Sequence, residues 1–286
     1  MTTNINNSCL GIVCGGGDYP LLVARACLKK NINFCLLFFG EEISKVLENL
    51  GDYKNIQSIS VKIGDVAKAI DFFHKNGVRQ LVLAGHLARP NFNNLSLDKK
   101  GASWLLRLGK DIFAGDDALL KKLALLLQEE GFEVVAGSDF IDDGFISAGT
   151  STKISPDEFD IRDIEKGFEV AGTIGRMDIG QSVIVHQGLV VGIECVEGTD
   201  ALIARCALLR KSSSGGILIK TSKPQQDYRM DLPVIGVSTV QQLHKHNFAG
   251  VAIGSGNCIV LHKKLVIEQL DEFGMFLYGH QTKSSK

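Results

Sequence analysis

The chain has 286 residues, 45% hydrophobic and 22% charged, with a net charge of -1. That length holds one large domain or two ordinary ones around a sizeable core, and the near-neutral balance excludes an electrostatic footprint for general nucleic-acid binding. Seven cysteines without a C-x-x-C pair point to free or buried thiols in a reducing compartment, not to a disulfide framework or zinc cluster. The first residues, M-T-T-N-I-N-N-S, lack the basic and apolar regions of a signal peptide, and the longest apolar run, around Phe34–Phe39, is far too short to span a bilayer. The expected compartment is the cytoplasm, with peripheral contact at a membrane surface left open.

Cys9–Cys14 reads as a strand, Gly15-Gly16-Gly17-Asp18-Tyr19-Pro20 as a turn, Leu21–Lys30 as a helix and Phe34–Phe39 as a buried strand. This βαβ pattern implies a parallel sheet. Glycines at the tip of the first strand let a bound group approach the backbone, and the following helix N-terminus offers amides to an anion. The motif is not G-x-G-x-x-G, so a nucleotide or phosphate role stands beside that of a plain tight turn. Ile59–Ile63 reads as a third strand, and Asp65 as the N-cap of a helix over Val66–Lys75. Gln80–Ala84 is a fourth strand, ending in Gly85-His86-Leu87-Ala88-Arg89-Pro90. Ligands of open parallel sheets bind at strand C-termini, so this loop is expected beside the Gly15 loop.

Asp116 or Asp117 is expected to cap a helix carrying Leu119, Leu120, Leu123, Leu126 and Leu127. Phe132–Ala136 would then be the last strand of a first domain, residues 1–140. Residues 141–156, rich in Gly, Ser and Thr, read as an interdomain connection with Lys153 as a cation able to reach a ligand. A second domain, 157–286, begins with a helix over Asp157–Thr173 and continues as a hairpin of Ser182–His186 with Leu189–Glu194. Asp200 is expected to cap a helix over Ala201–Arg210, Ile217–Ile219 to be a strand, and Ser238–His246 a helix. Val251–Ile253 and Cys258–Leu261 flank a hairpin-like turn, followed by a helix over Leu265–Phe273 and an extended Met275–Tyr278.

Between Leu218 and Gly236, two cations (Lys223, Arg229) and two carboxylates (Asp227, Asp231) fall within nine residues stiffened by Pro224 and Pro233. A rigid charged loop suits an anionic substrate or a metal. The chain lacks a serine, cysteine or histidine constellation for covalent catalysis, which favours direct attack by water.

Five motifs, in order, resemble the LpxI family of UDP-2,3-diacylglucosamine pyrophosphatases of lipid A synthesis. They are Gly15-Gly16-Gly17-x-x-Pro20, Gly115-Asp116-Asp117-Ala118-Leu119-Leu120, Gly175-Arg176-x-Asp178-Ile179-Gly180-Gln181, Glu197-Gly198-Thr199-Asp200-Ala201, and Lys223-Pro224-x-Gln226-x-x-Arg229-x-Asp231-Leu232-Pro233-x-Ile235-Gly236. The resemblance implies an α/β fold: a Rossmann-like N-terminal parallel-sheet domain, a mixed α/β C-terminal domain and a ligand cleft between them. It implies hydrolysis of UDP-2,3-diacylglucosamine to lipid X (2,3-diacylglucosamine 1-phosphate) and UMP, with Mg2+ or another divalent cation, in a homodimer working at the inner-membrane surface. Catalysis would fall to Asp231 and Asp200, and metal binding to Asp231 with Asp200 or Glu197. Substrate contacts would fall to Gly16, Gly17, Asp18, Leu87, Ala88, Lys153, Gln181, Thr199, Lys223, Gln226 and Arg229. Two other readings stand beside this one: a nucleotide-dependent oxidoreductase on the Gly15 loop, and a non-enzymatic binder of a nucleotide-linked lipid.

Overall fold

The computed structural model describes residues 9–39, 49–50, 56–87, 90, 95–113, 115–210, 212 and 214–281. The chain divides into two compact units. One comprises Met1–Asp142 with Asp227–Asp231, the other Asp143–Gln226 with Leu232–Lys286.

The first unit is built on β1 (Cys9–Cys14), β2 (Phe34–Phe39), β3 (Ser58–Val61), β4 (Val78–Ala84) and β5 (Glu133–Val134). They form one parallel sheet in the order β3-β2-β1-β4-β5. Strand residues alternate between faces, and both faces are covered. Leu10, Ile12, Cys14, Leu36 and Phe38 pack with Val23, Ala24 and Cys27 of the helix Tyr19–Lys29. On the other face, Cys35, Leu37 and Leu81 pack with Ile70, Phe73, Trp104, Leu126 and Leu127. Trp104 belongs to a helix, Lys99–Leu108, that the sequence reading did not anticipate. Its cap Asp98 accepts from Gly101 N at 2.6 Å and from Ala67 N at 2.7 Å.

The second unit carries a six-stranded sheet in the order β6-β13-β11-β9-β7-β8. Its strands are β6 (Gly149–Thr150), β7 (Ser182–His186), β8 (Leu189–Ile193), β9 (Ile217–Lys220), β11 (Gly250–Gly254) and β13 (Phe276–His280). The three strands β9, β11 and β13 run parallel, while β6 and β7 pair antiparallel to them. The expected β7–β8 hairpin is present, with Gln187 and Gly188 at positive φ in its turn. The helix Glu158–Arg176 packs Ile164, Phe168 and Ala171 on one face, and Leu202, Ile203 and Cys206 of the helix Thr199–Leu209 lie in the core on the other. The mixed architecture thus follows the expected fold class.

Three details differ from expectation. Residues 141–156 do not simply connect: Ile146 lies in the second unit's core, and β6 pairs with β13. Gly254–Asn257 does not close a hairpin, because β12 (Ile259–Val260) pairs in parallel with β10 (Val234–Ile235). Most consequentially, Asp227–Asp231 counts with the first unit, since buried Met230 inserts into the cluster of Phe73, Trp104 and Phe132.

Candidate functional site

In the first unit, β1 and β4 end side by side at the point where the strand order reverses, the position at which open α/β sheets bind ligands. The two following loops are joined there as expected: Gly16 N donates to His86 O at 2.7 Å, and His86 N to Gly16 O at 3.2 Å. Glycine is required for this approach. A Cβ on Gly15 would stand 2.6 Å from His86 O, and one on Gly85, at φ +85, would collide with the Gly16 carbonyl. Gly17 and Asp18 are exposed, as is Leu87, and Asp18 caps the helix without a side-chain bond. The tip therefore presents backbone groups and one carboxylate. Ala88 lies outside the described residues, and His86 joins the site mainly through its backbone and its ring against Gly16.

Tyr19 follows this loop, and its hydroxyl sits so close to Gly137 that a Cβ there would be 2.7 Å away. Burial pushes the phenol pKa well above its ordinary value, and the nearby carboxylates of Asp139 and Asp231 push it further. Asp231 thus lies near the residue that follows the glycine loop. The turn that delivers it is closed by Met230 N and Asp231 N donating to Asp227 O at 2.9 and 3.2 Å. Arg229 pairs with Asp227 within the same turn, with Nη2 to Oδ2 at 2.6 Å, and holds the Asp227 carboxyl below the usual range. Both residues also line a cavity of about 570 Å³ with Lys121, Phe132 and Glu133.

The second unit brings together residues from three motifs. At the end of β9, Lys220 Nζ donates to Thr199 Oγ1 at 2.9 Å. Thr199 Oγ1 in turn donates to Glu194 Oε1 at 2.5 Å, and Glu194 Oε2 accepts from Gln181 N at 3.2 Å. Lys220 and Glu194 are each only 7% exposed. Beside them, Lys223 is paired with Asp178, and Gln225 Nε2 donates to Gly175 O at 2.7 Å. Gln226 Oε1 accepts from Lys223 N at 2.9 Å, which closes the local turn. Lys220, Glu194 and Asp178 were not among the expected site residues. Asp178 stands in the third family motif, whereas Glu194 carries no local sign beyond its charge.

Models of the LpxI N-terminal and C-terminal domains match residues 9–144 and 147–278. The chain is also 32% identical over 276 residues to a protein named UDP-2,3-diacylglucosamine pyrophosphatase LpxI from Caulobacter vibrioides, covering 94% of this chain and 96% of that one. This chain belongs to the LpxI family.

The expected carboxylates belong to different units. Asp231 belongs to the first unit, whereas Asp200 and Glu197 belong to the second. Asp200 is exposed in the first turn of its helix, which begins at Thr199 after Gly198, two residues earlier than expected. Glu197 is engaged elsewhere: Arg205 Nη2 donates to it at 2.7 Å and lowers its pKa, and Cys195 N donates at 3.2 Å. Among the described residues there is no group of three or more His, Cys, Asp or Glu placed to share one ion. Mg2+ needs only one or two carboxylates and otherwise keeps water, and the Arg205 pairing of Glu197 does not favour it as such a ligand. Lys153 is exposed, and its backbone N–H donates to Asp271 at 2.7 Å. Asp116 and Asp117 both fall inside their helix after the cap Gly115, with Asp117 facing Lys121 at 3.5 Å.

Proposed function

We propose that this LpxI-family enzyme hydrolyses UDP-2,3-diacylglucosamine to 2,3-diacylglucosamine 1-phosphate and UMP. The observation that carries the reading is the packing of the Asp231 turn into the unit that holds the glycine loop, with Tyr19 adjoining both. Asp231 and the Gly15 loop then belong to one compact unit. The activity in the name of the 32% identical relative supports the substrate class.

On this reading, the Gly15–Asp18 loop and the amides beginning the helix Tyr19–Lys29 hold the nucleotide phosphate. Asp231 orients the attacking water and is the carboxylate that would hold a divalent cation. When bound, that cation neutralises phosphoryl charge and lowers the pKa of its water. Water oxygen bonds to the α-phosphorus, the bond to the bridging oxygen breaks, and that oxygen leaves with the lipid phosphate. The water's proton passes to Asp231 or to solvent. Half-buried Tyr19, whose phenol stays protonated through burial and the nearby carboxylates, adds no competing base beside Asp231. Lys223 is neutralised by Asp178 in this structure, so its role is to hold the 175–181 and 223–226 segments together as well as to face phosphate.

The test is turnover of UDP-2,3-diacylglucosamine in H2(18)O with Mg2+, before and after EDTA. Label in UMP and loss of turnover with EDTA are expected. Label in the lipid phosphate would move the attack to the other phosphorus. Binding without turnover in any divalent metal would favour a carrier of the nucleotide-lipid. No described helix is long and apolar enough to cross a membrane. We place the reaction at the cytoplasmic face of the inner membrane, where the acyl chains reside, with a homodimer as the working form. Vesicle flotation and sedimentation check both.

A further inference from the structure

β9 alternates its faces as a strand must: Ile217 and Ile219 point to the helix Glu158–Arg176, and Leu218 to the layer of the helix Thr199–Leu209. Two residues after Leu218, the same face carries Lys220, 7% exposed and opposite fully buried Ser182 in the β7 register. A buried charge here has no stability rationale. Replacing a buried ion pair by apolar residues of similar volume is often neutral or stabilising, whereas removing one partner is strongly destabilising. The charge is instead routed outward. Lys220 fixes the acceptor side of the Thr199 hydroxyl, which directs its single proton to Glu194, and Glu194 receives the Gln181 amide. Ser182 Oγ and Gln181 Oε1 are buried beside this chain without a hydrogen-bond partner. Gly180 backs onto Glu194 so closely that a Cβ would collide with its carbonyl. Thr199 and Gln181 stand in two separate family motifs, and these two buried charges link them.

We propose that Lys220 and Glu194 are positioning residues for the substrate-contacting residues of the second unit. They set Thr199, the helix start that carries Asp200, and Gln181 in the geometry that the substrate meets. The proposal rests on the hydrolase reading above, through the substrate contacts assigned to Thr199 and Gln181.

The test compares Lys220→Met, Glu194→Gln, the double variant Lys220→Met/Glu194→Met, Thr199→Val and Thr199→Ser with wild type. Turnover of UDP-2,3-diacylglucosamine is followed as kcat and KM, alongside thermal melting. Because displacement of site groups by about 1 Å can lower rates about 10²-fold, kcat/KM is expected to fall about 10- to 100-fold in Lys220→Met. The double variant, which leaves no unpaired charge, is expected to melt no lower than wild type and yet be as impaired as the single variant. Thr199→Ser is expected to recover most of what Thr199→Val loses. A melting curve that tracks activity would reveal a merely structural role. If the single variants do not fold, the double variant decides. A folded double variant within twofold of wild-type kcat/KM overturns the proposal, and so does Thr199→Ser as impaired as Thr199→Val. Wild type that fails to turn over would sink the hydrolase reading, and this proposal with it. An active wild type with equally active variants sinks this proposal alone.

Discussion

The two units both end their parallel strands in polar loops, but they build those loops differently. In the first unit, Gly15, Gly16 and Gly85 bring backbone against backbone, and the charged groups of the glycine tip stand outside. In the second, the strand ends carry charge inward: Lys220, Glu194 and the Lys223–Asp178 pair are buried or nearly so. The contrast teaches that a backbone-lined site tolerates side-chain change but not Cβ addition. A site lined by buried charges tolerates neither loss of a partner nor loss of a proton.

The sharpest break of this comparison is Asp231→Asn, which keeps volume and removes the charge. We expect kcat to fall about 10²- to 10⁴-fold with melting temperature unchanged. Wild-type turnover in that variant would remove Asp231 from the chemistry. Next is Asp178→Asn, which leaves Lys223 without its carboxylate at a site 13–19% exposed. Chemical denaturation should show a loss of about 2–3 kcal/mol, somewhat below that of fully buried pairs, and a higher KM. Gly85→Ala adds a Cβ at φ +85 against the Gly16 carbonyl. We expect a loss of about 1–3 kcal/mol and weaker UMP binding by calorimetry, with little change at the second unit's strand ends.

The smallest effect belongs to Asp227 and Arg229. The Arg229 guanidinium depresses the Asp227 carboxyl. The pair's stabilisation is therefore full above the ordinary carboxylate pKa and is lost as pH falls through the lower folded value. Arg229→Gln should raise that titration toward about 3.9, the unperturbed Asp value, and NMR titration of the Asp227 side chain checks the direction. Since Arg229 is 45% exposed, the stability change should stay below about 1 kcal/mol.

Much of the first unit was legible in the residues. Short continuous apolar runs bounded by glycine announced β1, β2 and β4, and the parallel-sheet rule for strand C-termini implied the approach between the Gly15 and Gly85 loops. The short β5 was harder to bound, because Phe132 and Ala136 continue the apolar pattern while only Glu133–Val134 stand in strand register with β4. The helix over Lys99–Leu108 is amphipathic but low in apolar content, and Trp104 is its one large buried side chain, so it was missed.

The sequence alone determined the fold class, the glycine loops and the family motifs, because these depend on local backbone freedom and short-period burial. Only the tertiary structure decided that Asp227–Asp231 packs with the first unit, since one buried Met230 draws the turn across. Nor could the sequence distinguish Lys220 from a lysine ending a strand in solvent. Its burial follows from a central strand with β11 on one side, β7 on the other and Thr199 above, and pairing partners distant in the chain leave no mark on the four letters I-L-I-K.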